Sequence, residues 1–208
     1  MNDKAPEGAD SVRPAELSAV SRLAAGNNMR ERLKNLAGLG PVSDAAAEFF
    51  YEFFDADASA ISLLRYHQFR TLVTVGDAVP GQMRHPDGET YDAELYPTVT
   101  RNLMGGSGYV ASIGNDGGIP ESQQFLIEYK KGSCIGAPII YGGGVMGEVF
   151  VSRQRGRPHY NGRDLASALD LARQLGFRIG PAVKAQLTME PDWWPDPSEV
   201  GEEKTVDD

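Results

Sequence analysis

The residues able to do nucleophilic or metal chemistry are few and scattered. One cysteine, Cys134, permits neither an internal disulfide nor a cysteine-based zinc site. The three histidines, His67, His85 and His159, show neither HxH nor HExxH spacing, so we expect no preassembled metal site. No serine stands in a nucleophile elbow or near a histidine in sequence. These patterns predict a chain without catalytic residues.

A glycine motif invites a phosphate-binding interpretation. Gly142, Gly144 and Gly147 formally satisfy GxGxxG. A phosphate cradle of this type needs the loop between a strand and a helix N-terminus, where free N–H groups face the anion. A β-rich run follows these glycines instead, so we interpret them as a hairpin turn.

The carboxyl of Glu148 is unusual for its context. Glu148 alternates with Met146 and Phe150 in a run that otherwise predicts a buried strand. If that face lines a pocket, Glu148 would receive a cationic or hydroxyl group of a ligand. The alternative is an edge position, or pairing with a nearby arginine such as Arg65.

Aromatic residues with polar ends are concentrated in the middle of the chain. Such residues are typical of small-molecule sites, although each also suits an ordinary core. Together with the acid, the candidate ligand-binding set is Tyr96, Arg101, Tyr109, Phe125, Tyr129 and Glu148. Arg101 inside the pocket would favour an anionic ligand.

Hydrophobic periodicity predicts the elements that must position these residues. We expect a helix from Pro14 that is interrupted at 26–28 and stopped at 38–41, then an aromatic helix capped by Ser43 or Asp44. The further predicted helices cover 97–103, 120–131 and 162–186, and the predicted strands cover 59–66, 69–75, 108–113, 133–141 and 145–153. Pro181 should kink or break the last helix, and 77–91 should be a long loop.

The order of these elements predicts an α+β architecture. Two hairpins imply a central antiparallel β-sheet of five to six strands. Helices from both ends of the domain must cover one face, which leaves the other face to loops and short helices. Sheets built in this way commonly hold a ligand under the covering segments.

Charge and composition predict the boundaries. The formal net charge is −9, of which residues 188–208 carry −7 and the preceding chain only −2. We therefore expect residues 1–13 to be disordered, 14–42 to form a helical arm, 43–186 to form the domain and 187–208 to be an acidic disordered tail. Trp193 and Trp194 are exceptional in such a tail, and they either dock on the domain or anchor a partner.

The same features bear on location and partners. An acidic tail repels nucleic acid and anionic membranes, so we expect neither as a partner. No apolar run approaches the roughly 18 residues of a membrane span, and the N-terminus MNDKAPEGADS has no apolar signal region. We expect a cytoplasmic protein.

Two stretches of the chain resemble a known family. FFDADASAISLLRYHQFRTLVTVGD looks like the opening of a GAF domain, and the segment from GSCIGAPIIYGGGVMGEVF onward resembles its closing third. There, Ala137-Pro138, a glycine turn and Val145-Met146-Gly147 match the strand–turn–strand signature of the family. Pro158-His159-Tyr160 through Asp164-Leu165 matches the approach to its last helix. The resemblance covers residues 43–184 and implies a GAF/PAS-like fold.

The family is diverse in what it binds. Its members bind cyclic nucleotides, tetrapyrroles, amino acids or only partner proteins. The Asn-Lys…Phe…Asp-Glu set of cyclic-nucleotide members is absent, Cys134 lacks the adjacent histidine of bilin photosensors, and one cysteine does not support a methionine sulfoxide reductase cycle. His85 is the one histidine we can imagine reaching a pocket to ligate haem.

The resemblance therefore implies a non-catalytic regulatory sensor that binds a small molecule and relays to a partner protein. No cofactor is identified. The alternatives are a ligand-free interaction or dimerisation module, a tetrapyrrole-binding or redox protein, and an enzyme whose site is not recognisable. In GAF domains terminal helices often pair in a parallel dimer, and the spacing of Ala168, Ala172 and Gly176 would permit close approach. We expect a homodimer through the terminal helices.

Overall fold

The computed structural model describes residues 19–76, 88, 90–114 and 119–194. The predicted disordered N-terminus, most of the predicted 77–91 loop and residues 195–208 lie outside the described residues. Within the described ranges, no helix has both the length and the apolar character needed to cross a membrane.

The described chain forms an α+β fold, as predicted. The helices are α1 (Ala19–Leu33), α2 (Leu39–Phe53), α3 (Pro97–Met104), α4 (Pro120–Glu128) and α5 (Gly162–Met189). The strands are β1 (Ala58–Arg65), β2 (Gln68–Gly76), β3 (Thr90–Asp92), β4 (Tyr109–Ser112), β5 (Lys131–Tyr141) and β6 (Gly144–Gln154). They form one six-stranded sheet in the order β3-β2-β1-β6-β5-β4, and every neighbouring pair is antiparallel.

The sheet separates two apolar cores, because successive side chains of a strand point to opposite faces. On one face, Ile61, Ile135 and Val149 belong to the core formed with α1, α2 and α5. On the other face, Phe69 and Cys134 belong to a smaller core with α3 and α4. The sheet is thus buried on both sides, and the predicted assignment of terminal helices to one face is confirmed.

Helix α2 presents the predicted aromatic face to the larger core. Phe50 is fully buried and stacks on Phe54, with ring centroids 5.9 Å apart. The helix begins earlier than predicted, at Leu39, because Gly38 takes a φ of +84° and Pro41 fits within the first turn. Ser43, an expected cap, lies buried inside the helix.

Helix α1 is continuous, so the predicted interruption at 26–28 is wrong. Met29 and Leu33 are fully buried, and the Arg30 side chain donates to the carbonyl of Gly26. Gly26 lies against Gln174 of α5, where an added Cβ would stand 2.5 Å from the Gln174 Oε1. The glycine permits close packing of α1 on α5, and this contact outweighs its low helix propensity.

Helix α5 continues past Pro181 to Met189, so the alternative that Pro181 marks a break is wrong. The proline removes the hydrogen bond to the carbonyl of Phe177, one turn earlier. Pro181 is exposed and Phe177 is 72% exposed, so this part of the helix faces solvent. Water can satisfy the free carbonyl, and the buried face of the helix stays intact.

The segment after α5 is folded onto the domain. Trp194 is only 2% exposed, and its carbonyl accepts a hydrogen bond from Arg65 Nη1 at 3.1 Å. The guanidinium of Arg70 lies over the Trp193 ring, 4.7 Å from its centroid. The predicted boundary at 187 is therefore wrong, because residues 187–194 belong to the domain. Of the two predicted roles for the tryptophans, docking on the domain is the one observed.

The closest approach between helix and sheet joins α5 to β5. A Cβ added to Gly176 would stand 2.0 Å from the carbonyl oxygen of Ile140. Ala168 and Ala172 are also buried, at 1% and 0% exposure. These small residues therefore face the sheet, so the predicted use of Ala168, Ala172 and Gly176 at a dimer interface is wrong.

We predict that Gly176→Ala will destabilise the fold by at least about 2 kcal/mol, because the new methyl group meets backbone rather than a movable side chain. Gly162→Ala in the same helix, with nothing within 4 Å of the added Cβ, is the matched control and should change stability by no more than about 0.5 kcal/mol. Urea unfolding measures the free energy of unfolding of both variants. If both lose the same free energy relative to the wild type, the described helix–sheet contact is contradicted.

Candidate ligand pocket

A cavity of about 160 Å³ lies between the sheet and helices α3 and α4. Its floor is formed by small residues of β1, among them Ala60 and Ser62, and its walls are mostly aromatic. Ala60 is paired with Phe150 on one side and Thr74 on the other. The shortness of the β1 side chains leaves the space that the surrounding rings enclose.

Tyr109 reaches into this cavity because a glycine lies beneath its ring. Tyr109 on β4 is paired with Gly136 on β5. A Cβ at Gly136 would stand 2.2 Å from the Tyr109 Cε1, so the ring lies flat against the sheet over the glycine. The phenol extends across β5 and donates to Glu148 Oε2 at a long 3.5 Å.

Two groups of aromatic rings form the walls. Phe125 of α4 meets Phe150 of β6 edge to face at 5.2 Å and stacks on Tyr129 at 5.0 Å. On the opposite side, Tyr91 stacks on Phe69 at 5.3 Å and meets Tyr96 edge to face at 5.7 Å. Rings from four elements therefore surround the space above β1.

Glu148 lies on β6, in the middle of the sheet, and is 6% exposed. Its backbone is paired with Ser62 on one side and Pro138 on the other. Burial raises the pKa of its carboxyl to about 7, which the Tyr109 hydrogen bond opposes. Among the described residues, no lysine, arginine or histidine forms an ion pair with it.

The interpretation of Glu148 as an edge residue or a partner of Arg65 is wrong. Arg65 projects from the helix face of β1, where it donates to Trp194 and lies over the Tyr66 ring at 4.3 Å. Strand alternation places Glu148 on the opposite face, because its neighbours Gly147 and Val149 pair with Leu63 and Ile61.

The thiol of Cys134 also lines the cavity and is fully buried. Burial, and secondarily the charge of Glu148, raises the pKa of Cys134 to about 12. Burial likewise raises the pKa of Tyr109 well above its usual value, with Glu148 contributing. Both groups are therefore neutral near pH 7, and Cys134 is not a reactive thiolate.

Two further charged residues line the cavity. Glu121, at the start of α4, accepts a hydrogen bond from the backbone N–H of Thr98 at 2.9 Å. Its second carboxylate oxygen has no hydrogen-bond partner among the described residues. Lys131, at the first position of β5, is 5% exposed and also lines the cavity.

Arg101 is not in the pocket, so its predicted placement is wrong. Helix α3 buries Val99 and Leu103, and Arg101 lies about 200° around the helix from each, in solvent. Burial is the largest single effect on the pKa of Glu121 and raises it, but hydrogen bonds to the carboxylate together outweigh burial and lower the pKa. The charge of Arg101 adds to this lowering. The predicted preference for an anionic ligand depended on Arg101 lying inside the pocket and is therefore withdrawn.

The other five candidates all line the cavity: Tyr96, Tyr109, Phe125, Tyr129 and Glu148. Their role in binding stays a prediction. Sequence reasoning missed Phe69, Phe150 and Tyr91 as walls. The alternation of Phe150 with Glu148 was a usable signal, whereas Tyr91 lies in a three-residue strand beside a long polar segment and carried none.

The histidines do not contribute to the described cavity. His67 lies exposed in the turn between β1 and β2, His159 is exposed before α5, and His85 lies outside the described residues. Among the described residues, no group of three or more His, Cys, Asp or Glu side chains could hold a metal. The predicted hairpin between β5 and β6 is present, with Gly142 and Gly143 in the turn and Gly144 paired with Tyr141.

Solved structures share this fold. The GAF domain of a phosphoenolpyruvate-protein phosphotransferase from Coxiella burnetii is 14% identical, with a TM-score of 0.62 over 81% of this chain and 98% of that chain. The corresponding GAF domain from Acinetobacter is 16% identical, with a TM-score of 0.61 over 79% of this chain and 96% of that chain. A phycocyanobilin-bound GAF domain from a cyanobacterial phytochrome is 14% identical, with a TM-score of 0.63 over 79% of this chain and 96% of that chain. At these identities the likeness concerns the fold.

Sequence comparison identifies the family directly. No curated protein matches the chain. The family model of the GAF domain matches residues 39–179, from the start of α2 to the buried part of α5. This is more than half of the chain and includes every strand of the sheet and the whole pocket lining. The chain therefore belongs to the GAF domain family.

Proposed function

We propose that this chain is a non-catalytic sensor, in which a small molecule occupies the cavity between the sheet and α3–α4 and alters the terminal helices for a partner protein. The observation that carries the proposal is the cavity of about 160 Å³ built around Glu148, a buried carboxyl without a counter-charge among the described residues. Tyr96, Phe125 and Tyr129 line this space rather than fill it. An open cavity favours a sensor over a ligand-free interaction module.

The size of the cavity suits a molecule of about one ring. A protein cavity of about 150 Å³ is large enough for benzene. Phycocyanobilin, which is bound in one of the similar structures, has four rings. Binding it would require this cavity to enlarge, and Cys134 is a buried neutral thiol. These observations do not favour the tetrapyrrole alternative.

The buried acid is costly for the stability of the fold. For an acid whose pKa is raised in the folded state, stability is highest below the unfolded pKa and is lost as pH rises through the folded pKa. Here the carboxyl moves from 4.5 to about 7, so ionisation costs the fold about 3 kcal/mol near neutral pH. Destabilising groups of this kind concentrate at functional sites.

The sheet provides a route from the pocket to the terminal helices. On β6, Glu148 and Phe150 face the cavity, while Val149 and Val151, which alternate with them, face the α2–α5 core. Because protein cores such as the one under α2 and α5 are close-packed, a ligand that displaces Phe150 would also move Val149 and Val151 against the helices. We infer that the partner reads the outer surfaces of α1 and α5.

We also infer a homodimer through these helices, formed by their exposed face rather than by the buried small residues. Phe177 is 72% exposed and Met189 is 70% exposed on α5, and Leu23 is 63% exposed on α1. Helices α1 and α5 pack against each other, and burial of these exposed apolar side chains at an interface would stabilise a dimer.

Glu148→Gln tests the cost of the buried acid. Relative to the wild type, the variant should gain stability as pH rises from 4.5 to about 7 and then level off, with a total gain of about 3 kcal/mol. The gain arises because the amide cannot ionise in the pocket. Urea unfolding of both proteins across pH 4.5–8.5 measures it. Parallel stability curves would show that the carboxyl is not held protonated by burial.

Ligand binding is tested by thermal shift against a metabolite library. A true ligand at about 100 times its Kd stabilises the fold by about 2.7 kcal/mol, or roughly 5–10 °C for a domain of this size. Ala60→Phe fills the cavity floor and should abolish that shift. Ala166→Phe makes the same change on the exposed face of α5 and should retain it. Shifts that survive Ala60→Phe, or no shift from the whole library, would contradict a sensor pocket.

The dimer is tested by light scattering at high protein concentration. The wild type should have twice the mass of one chain, and Phe177→Glu should be monomeric because a charge would be buried at the interface. Ile127→Glu changes a residue of similar exposure, 61%, on α4 and should remain dimeric. A monomeric wild type, or a Phe177→Glu variant that is still a dimer, would contradict a homodimer formed through the exposed face of these helices.

A further inference from the structure

The charges around the cavity narrow the chemistry of the ligand, on the premise that the cavity is a binding site. We propose that it selects a small organic cation, a ring-sized amine whose ammonium group binds the Glu148 carboxylate while its apolar part lies between the aromatic walls. The inference rests on the juxtaposition of Glu148, the cavity and the surrounding ring faces.

The first argument is charge balance. Glu148 has no cationic partner among the described residues, although ion pairing is the usual way to stabilise a buried carboxylate. Lys131 also lines the cavity, but its backbone pairs with Gln154, six residues along β6 from Glu148 and hence about 20 Å from the Glu148 backbone. Arg101 is outside in solvent. A cationic ligand would supply the missing charge.

The second argument is the nature of the walls. The faces of aromatic rings attract cations, and rings around an acidic group are a recurring means of holding ammonium ligands. Phe150 follows Glu148 by two residues on the same face of β6, and Phe125 packs edge to face on it. Tyr91 is close enough to Tyr109 to contribute to raising its pKa. The carboxyl thus lines the same cavity as these rings.

The third argument is that the affinities of cationic and neutral ligands should depend on pH in opposite directions. A cation needs the Glu148 carboxylate, so its affinity should rise with pH through about 7. A neutral acceptor would instead need the protonated acid and would bind better at low pH. The raised pKa values of Tyr109 from β4 and Cys134 from β5 keep both groups neutral at pH 5.5–8.5. The other titratable groups that line the cavity are Tyr91 of β3, Tyr96 before α3, Glu121 and Tyr129 at the two ends of α4, and Lys131 of β5.

Two isosteric probes test the proposal. Benzylamine is an ammonium ion throughout pH 5.5–8.5, and benzyl alcohol is its neutral counterpart. At pH 8.5, we expect benzylamine to bind the wild type at least tenfold more tightly than benzyl alcohol does, as measured by calorimetry or amide chemical-shift titration. Its affinity should fall roughly thirtyfold between pH 8.5 and 5.5, the fraction lost when a carboxyl of pKa about 7 protonates, while that of benzyl alcohol should not fall.

Three variants make the outcome decisive. Glu148→Gln keeps the shape of the side chain and should abolish both the benzylamine preference and its pH dependence. Tyr109→Phe removes the hydrogen bond that favours the carboxylate, so it should move the midpoint of the pH dependence upward. Ala60→Phe should exclude both probes.

The failures of the two proposals are distinguishable. If both probes bind the wild type equally at every pH and Ala60→Phe blocks both, the pocket stands and the cation inference is overturned. If benzylamine binds Ala60→Phe as well as it binds the wild type, the binding is elsewhere and both proposals lose support. A benzylamine preference that survives in Glu148→Gln would overturn the role of this carboxyl.

Discussion

The contact between α5 and β5, with no side chain between them at Gly176, is the constraint on which the rest of the structure depends. A Cβ there would meet the carbonyl of Ile140 at 2.0 Å, so the helix lies closer to the sheet than any larger residue allows. This approach lets α5 cover β5 and parts of β6 and β4, while α2 packs beside it over β1 and β2 and α1 packs against both helices. One sheet face is thereby closed, and the other is left for the short helices and their cavity.

A second close approach, at Gly136, decides the chemistry of that other face. Because the ring of Tyr109 occupies the space above the glycine, its phenol crosses β5 and meets Glu148. The long hydrogen bond from Tyr109 does not offset the burial of the acid, whose pKa stays near 7. The fold retains an ionisable group at a cost of about 3 kcal/mol, which a better-packed apolar residue would avoid. A ligand that supplies the missing charge would recover that free energy on binding.

The prediction errors in the described residues share one physical origin. Local propensity predicted an interruption of α1 at Gly26 and a possible break at Pro181, yet both helices continue because tertiary packing, or an exposed carbonyl, compensates for the weak residue. The tail boundary failed for the same reason: Trp193 and Trp194 bury surface that acidic composition alone did not predict. Composition averages over residues, whereas one buried indole holds a segment in place.

The sequence by itself determined the order of the elements, the two hairpins and the membership of the GAF family, because strand periodicity and glycine turns act over a few residues. It also determined that Glu148 and Phe150 share a face, since alternation in a strand is local. Only the tertiary structure decided which face holds the cavity, that Arg101 lies outside it and that Gly136 admits the Tyr109 ring. Those outcomes depend on distances between strands and helices far apart in the chain, which no local pattern encodes.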